Sequence, residues 1–409
     1  MDDGLLSAGR QVADAITAIN MATPALEIRS EDPSSTEPPA DGPTDFHGAL
    51  NGVNQPMNMA FRDAIWWMLG GFALAFLVIR IGTLAWSKLR LVTAMNMPRE
   101  KQGYWKIKQW HWMPSLKKHI IYAPLWRKRH NREIRLSSAL NMGTLPSRFH
   151  SVIIFFYLAT NIAYCLVLDY TIPNKFALWA ELRGRTGTLA AVNMVPLVIM
   201  AGRNNPLISL LHISFDTYNL LHRWMGRIVV LESVLHTICW LVVCVADKGW
   251  EGAIKTSLDR IFLTSGWIGT IAMVLIFLTS FGPVRHAFYE TFLNAHIILG
   301  LIAFICTLIH CKTSVYPGGL PMQWWIIAIL ILWGLDRLAR LARMAYANWS
   351  RHQFTHAVCE PMPGDVTRVT MHLPRYMDIK PGTHAYLRFW GVNLWESHPF
   401  SIAWIEHND

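Results

Sequence analysis

The sequence is short of charge. Of its 409 residues only 16% are Asp, Glu, Lys or Arg, against 52% hydrophobic, where a soluble domain carries about a quarter charged residues. Mean hydropathy is +0.25, and the apolar residues come in long blocks rather than as alternating or helical faces. An ordinary cytosolic enzyme is excluded. The N-terminus opens Met1-Asp2-Asp3 and lacks a basic start followed by an apolar core. No cleaved signal peptide is read there, and the first membrane helix is expected to direct insertion. The six cysteines (Cys165, Cys239, Cys244, Cys306, Cys311, Cys359) have no paired metal spacing and fall mostly inside apolar stretches. They read as small buried hydrophobes. No glycine-rich G-x-G-x-x-G loop for a dinucleotide occurs anywhere.

Acidic residues are also missing from one long stretch. The net charge is +10, from 37 basic and 27 acidic residues, and between Lys88 and Arg148 there are 14 Lys or Arg against Glu100 and Glu133 alone. Residues 1–60 reverse this, with nine acids and only Arg10 and Arg29. Such asymmetry across a hydrophobic segment separates a cytoplasmic loop from an exterior tail. With Tyr104, Trp105, Trp110 and Trp112, the basic loop suits anionic lipid headgroups better than nucleic acid.

What is present is a series of membrane-length runs. Residues 1–58 are polar and rich in Pro, Ser, Asp and Glu, and are expected to be a disordered exterior tail. Seven segments follow, near 63–87, 150–170, 186–202, 219–245, 261–281, 287–311 and 321–340, each long enough to cross a hydrocarbon core of ~30 Å. Trp66, Trp67, Trp86, Trp324 and Trp325 lie near segment ends, where amphipathic rings favour the interface. With the basic loop at 88–149 inside, the N-terminus is outside and the C-terminus cytosolic, and 246–260 is an exterior loop. After about residue 350 the period changes to two. Short strands are expected over Phe354–Cys359, Val366–Leu373, His384–Phe389 and Phe400–Ile405, punctuated by Pro363-Gly364 and Pro381-Gly382. The fold class is therefore mostly α. A polytopic helical bundle of about seven membrane helices, with a six-helix core at 150–340, precedes an incomplete β domain at 350–409.

Four histidines lie inside these segments. His222 and His236 share one helix and His296 and His310 another, each pair 14 residues apart. At 100° and 1.5 Å per residue, 14 positions fall about 40° short of four turns and climb roughly 21 Å. Each helix then presents two imidazoles on one face, one near each leaflet. The two helices are separated by one crossing and run in the same direction, so His222 faces His296 and His236 faces His310. Two imidazoles can sandwich a flat macrocycle, and two such pairs would stack two haems across the bilayer. With both axial positions filled, the chemistry is electron transfer. A lone histidine in a membrane helix is commonly a satisfied polar residue or part of a proton path, and His150, His212 and His286, near segment ends, carry no such argument. Arg223 and Arg227 are candidates to pair with the propionates of the inner haem, although the positive-inside bias accounts for them equally well.

At these residues the chain resembles the fungal ferric reductase family, part of the larger group that includes the NADPH oxidases. The resemblance runs from about residue 150 to the end. It is carried by Gly202-Arg203-Asn204-Asn205-Pro206-Leu207, by Asp216 to Arg227 with Glu232 and His236-Thr237, by Tyr289 to His296, by His310-Cys311, and by Trp395-Glu396-Ser397-His398-Pro399-Phe400-Ser401. It implies a six-helix core holding two haems b, preceded by one extra helix. Beyond it lies a cytosolic FAD domain that takes hydride from NADPH and passes single electrons to ferric or cupric chelates outside. His398, Pro399, Phe400 and Ser401 would contact the flavin. The chain ends eight residues past that motif, so the FAD site is expected to be incomplete and the NADPH domain absent, as in a truncated member of the family. The plasma membrane is the expected location. Three readings stay open beside the reductase: a superoxide-producing oxidase on the same scaffold, a non-catalytic haem-binding subunit relying on a separate flavin- and NADPH-binding chain, and a proton-coupled transporter without haem.

Overall fold

The computed structural model describes residues 42–43, 46–101, 111–125, 133–135, 141–144, 146–377, 379, 382–389, 391 and 397–406. The remaining polar tail, Tyr104, Trp105 and Trp110 of the basic loop, Pro381, and Trp395-Glu396 of the flavin motif lie outside the described residues.

Among the described residues seven long helices make up the body: α1 (Gln55–Ala94), α2 (Arg148–Leu166), α3 (Lys175–Ala201), α4 (Phe215–Asp259), α5 (Ile261–Thr279), α6 (Tyr289–Lys312) and α7 (Gln323–Asn348). Four start on a side-chain cap, which satisfies an otherwise orphaned amide. Asn54 accepts from Met57, Ser147 from His150, Asn174 from Phe176 and Ser214 from Thr217. Among the described residues α1 to α6 are long and apolar enough to cross a membrane. The seventh expected segment forms α7, but Asp336, Arg337 and Arg340 make its second half charged.

Three segments differ from what their sequence suggests. The exterior loop expected at 246–260 is helical, because α4 continues to Asp259 across a break at Gly249 (φ 69°, ψ 177°). The tail expected to be disordered to residue 58 is packed from Phe46 onward. Gly52 (φ +71°) has no room for a Cβ, which would stand 2.8 Å from the Phe46 ring and 2.9 Å from Ala180 Cβ. The basic loop contains a short hairpin, β1 (Glu133–Arg135) with β2 (Asn141–Thr144).

Helix α3 is the most enclosed element, with α1, α2, α4 and α7 against it. Its Leu189 and Val192 pack with Ile65 of α1. The main core joins Met194 and Val195 of α3, Val229 of α4, Ala272 and Met273 of α5, Ala303 of α6, and Ile326 and Ile329 of α7. Val229 and Ala303 each stand seven residues from both histidines of their helix, so this apolar layer forms a floor midway between the two histidine levels. After α7 come two antiparallel hairpins, β3 (His356–Met362) with β4 (Val366–His372), and β5 (His384–Leu387) with β6 (His398–Ser401). The flavin-motif residues His398 to Ser401 are strand β6 itself, which starts two residues and ends four residues before the strand expected at 400–405.

Candidate functional site

The bundle brings the four histidines together in two pairs. The ring centres of His222 and His296 are 6.1 Å apart with planes at 63°, and those of His236 and His310 are also 6.1 Å apart with planes at 89°. Two imidazoles bonded to opposite sides of one metal at about 2 Å each, with ~1 Å more from each nitrogen to its ring centre, would show a separation of roughly 6 Å. Both levels have the spacing of axial ligands. Among the described residues no group of three His, Cys, Asp or Glu side chains is placed to hold a bare ion; each histidine pair could give a metal two ligands, and a macrocycle would have to give the rest.

The protons on these rings are set by backbone carbonyls. Nδ1–H of His222 donates to Leu197 O (2.9 Å), that of His236 to Arg183 O (2.8 Å) and that of His310 to Phe262 O (2.7 Å). A ring whose Nδ1 holds the proton keeps a lone pair on Nε2, and its orientation is fixed by the same bond. His296 differs, with Nδ1 buried and without a partner.

Two glycines make room at the second pair. A Cβ at Gly187 would lie 2.7 Å from His236 Nδ1, and one at Gly266 would lie 2.9 Å from His310 Nδ1. The rings occupy space that only a residue without a side chain can leave. A cavity of about 180 Å³ adjoins this level, lined by His236 and His310 together with Trp240, Trp267, Phe262 and Met273. Its walls are mostly apolar and aromatic, as a flat, apolar, macrocyclic group requires. The donor set, the ring separation and the glycine-made space all fit a haem at this level.

At the other level the charges are basic. Arg227 lies over the Trp224 ring at 4.4 Å. Arg223 has a buried Nε without a hydrogen-bond partner, with Arg285 and Arg227 in electrostatic range and Asp216 as the acid nearby. Three guanidinium groups around one acid make a place for an anion, which the propionates of an inner haem would supply. Arg285 was not singled out in the sequence. It belongs to a short helix at Gly282–Ala287, set against β2 and α6, that brings Arg285 within electrostatic range of Arg223.

The flavin-motif strand meets the same end of the bundle. Arg203, in the turn after α3, lies over the Tyr386 ring of β5 at 4.7 Å and over Phe215 at 5.7 Å. Arg375 lies over Tyr346 of α7 at 4.3 Å. Strand β6 pairs with β5 so that Pro399 faces Tyr386 and Phe400 faces Ala385. His398, Pro399, Phe400 and Ser401 are thus held one strand away from the Arg203 contact, on the side of His222 and His296.

Comparison with known proteins bears on this arrangement. Residues 186–311 match the family model "Ferric reductase like transmembrane component", a span that holds all four histidines, and residues 351–409 match an FAD-binding domain. A ferric-reductase-like transmembrane region is thus followed by a region similar to an FAD-binding domain. It is 28% identical over 270 residues to ferric/cupric reductase transmembrane component 2 of Saccharomyces cerevisiae, covering 64% of this chain and 36% of that protein. Ferric reductase transmembrane component 3 of the same yeast gives 28% over 272 residues, with 64% and 36% covered. Ferric/cupric reductase transmembrane component 1 of Candida albicans gives 27% over 302 residues, with 72% and 38% covered. The chain spans a little over a third of the length of these curated relatives. It is an integral, multi-pass membrane protein.

Proposed function

We propose that this chain is the transmembrane and flavin-contacting part of a reductase that delivers cytosolic electrons to ferric or cupric chelates outside the cell. The observation that carries this reading is the pair of matched histidine sandwiches, each with ring centres 6.1 Å apart and separated along their helices by 14 residues. His222 with His296 would hold an inner haem b, and His236 with His310 an outer one. Such groups supply one-electron carriage between the two faces of the membrane.

The chain's own residues then have distinct tasks. Leu197, Arg183 and Phe262 fix three imidazoles through their carbonyls, and Arg223, Arg227 and Arg285 balance propionate charge. His398, Pro399, Phe400 and Ser401 would contact FAD, on a hairpin held against the bundle by Arg203 and Tyr386. NADPH is oxidised on a module that joins this one, in a longer polypeptide or as a separate chain. The N-terminus faces the exterior, the flavin strands face the cytosol, and the plasma membrane is the site of action. The names of the relatives favour metal chelates over oxygen as the acceptor.

The test is a dithionite-reduced minus oxidised spectrum of the purified chain, with a pyridine haemochrome count. Two low-spin b-type haems per chain are expected. A folded preparation without haem would overturn the reading and return attention to a proton-coupled transporter.

A further inference from the structure

Between the two histidine levels, one group of buried polar atoms is left incomplete. Asn193 of α3 donates through Nδ2 to Asn161 Oδ1 of α2 (2.8 Å) and to Glu232 Oε2 of α4 (3.2 Å). Asn161 donates in turn to the Tyr157 carbonyl at 2.8 Å. Asn161, Asn193 and Glu232 are at most 4% exposed. Yet Glu232 Oε1, Asn193 Oδ1 and the Tyr157 hydroxyl are all buried without a hydrogen-bond partner, and Tyr157 lies within electrostatic range of Glu232.

Inside a membrane each unpartnered polar group costs several kcal/mol. Three of them, from three helices around one carboxyl, mark a position filled by something small and polar. Glu232 Oε1 and Asn193 Oδ1 are acceptors, and the Tyr157 hydroxyl can donate. One water molecule answers that set: it donates to the two oxygens and accepts from Tyr157, the three bonds usual for a buried water.

Among the described residues the carboxyl has no counter-ion. The titratable groups that face it are Tyr157 and Cys165 of α2. The arginines of α3 are committed elsewhere, Arg185 to Asn58, Glu181 and the Tyr164 carbonyl, and Arg183 to the Ala49 carbonyl. Glu232 stands ten residues after His222 and four before His236 on α4. An electron entering that interior adds a charge in low dielectric, and a proton on Glu232 would cancel it.

We propose that Tyr157, Asn193 and Glu232 hold an internal water molecule, through which Glu232 exchanges the proton that balances an electron entering the bundle. One proton from bulk water adds to the Glu232 carboxylate, forming an acid O–H, as one electron enters. The proton returns to water when the electron leaves. The electron in this scheme rests on the two-haem reading, whereas the water site does not.

Linked binding is reciprocal, so the haem midpoint potential must fall as pH rises. The limit is about 59 mV for a tenfold change in proton concentration in a one-electron couple. Redox titrations of the purified full chain over a pH series should show this slope. Glu232→Gln should flatten it at unchanged haem content, and Tyr157→Phe, which removes the donor to the water, should reduce it. Infrared spectra on lowering pH should contain a carboxylic-acid band, sensitive to deuterium, that Glu232→Gln lacks. A pH-independent midpoint in the parent chain, a slope that survives Glu232→Gln, or no Glu232 band at any pH would each overturn the proposal. A chain that shows the band but binds no haem would sink the two-haem reading and leave the water and proton site standing.

Discussion

An imidazole ligates a metal through the nitrogen that carries no proton, so whatever holds the other nitrogen decides whether it can. At His310 that partner is the Phe262 carbonyl at 2.7 Å, with the Phe262 ring stacked on the imidazole at 4.0 Å. Gly266, one turn further along α5, leaves the space for it. Gly266→Ala would put a methyl 2.9 Å from His310 Nδ1 and force the ring off its carbonyl, an overpacking cost of about 1–3 kcal/mol. The expected outcome is loss of roughly half the haem, the same half that His310→Ala removes, while His222→Ala removes the other. A haemochrome count and the reduced spectra of the three variants check this. Equal haem in Gly266→Ala and parent would show that the glycine does not shape the site. The four histidines were legible in the sequence because helical periodicity converts a spacing of 14 into one face. Gly187 and Gly266 were not, since what they make room for comes from another helix. Glu232 was legible only as part of the family motif, and its polar partners were not, for the same reason: they lie 39 and 71 to 75 residues away in sequence.

Helix α4 carries two of the histidines and then changes direction. Gly249, at φ 69° and ψ 177°, is in a region essentially closed to residues with a side chain, at a cost of about 1–3 kcal/mol. No atom lies within 4 Å of where its Cβ would be, so a substitution there is penalised by the backbone alone. The break lets residues 250–259 fold back, so that Ala253 packs with Trp240 and Cys244, and Ser257 accepts from the Trp267 indole at 3.1 Å. Gly249→Ala should therefore lower thermal stability in detergent by about that amount, while Glu251→Ala, at an exposed neighbouring position, should stay within roughly 0.5 kcal/mol. Equal melting of the two variants would mean that the break is not a fixed feature of the helix. The polar residues Asp247, Lys248 and Glu251 imitate a loop, which is why this element was misread while the six membrane-capable helices were legible from length and hydropathy. Strand boundaries were less legible for a related reason: β6 begins with His398-Pro399, which carry little strand signal, and pairing with β5 fixes where it starts.

At the scale of the molecule, parity settles which elements share an end. Arg203, after α3, touches Tyr386 of β5, so the flavin-motif strands stand at the same end as the α3–α4 turn. Four helices separate those two points, and an even number of crossings returns the chain to its starting end. By that parity helix α7 would cross despite Asp336, Arg337 and Arg340; in its last half Asp336 and Arg343 bond to Asn204 of the same turn. The segment near residue 120 belongs to this end as well, since Arg148 at the start of α2 donates to the His119 carbonyl, and His150 contacts Thr217 of α4. Residue 255 lies three crossings away, beyond α2, α3 and α4. With the basic loop on the cytosolic side, a cysteine at Lys255→Cys should react with a membrane-impermeant maleimide in intact cells. One at Ile120→Cys should react only after permeabilisation, both read as labelling above the parent chain. Reversed labelling would invert the orientation and put the flavin strands outside, which would remove cytosolic NADPH as the electron source. Labelling of both positions from one side would mean that one of α2, α3 and α4 fails to cross, and the two histidine levels could then not face opposite leaflets.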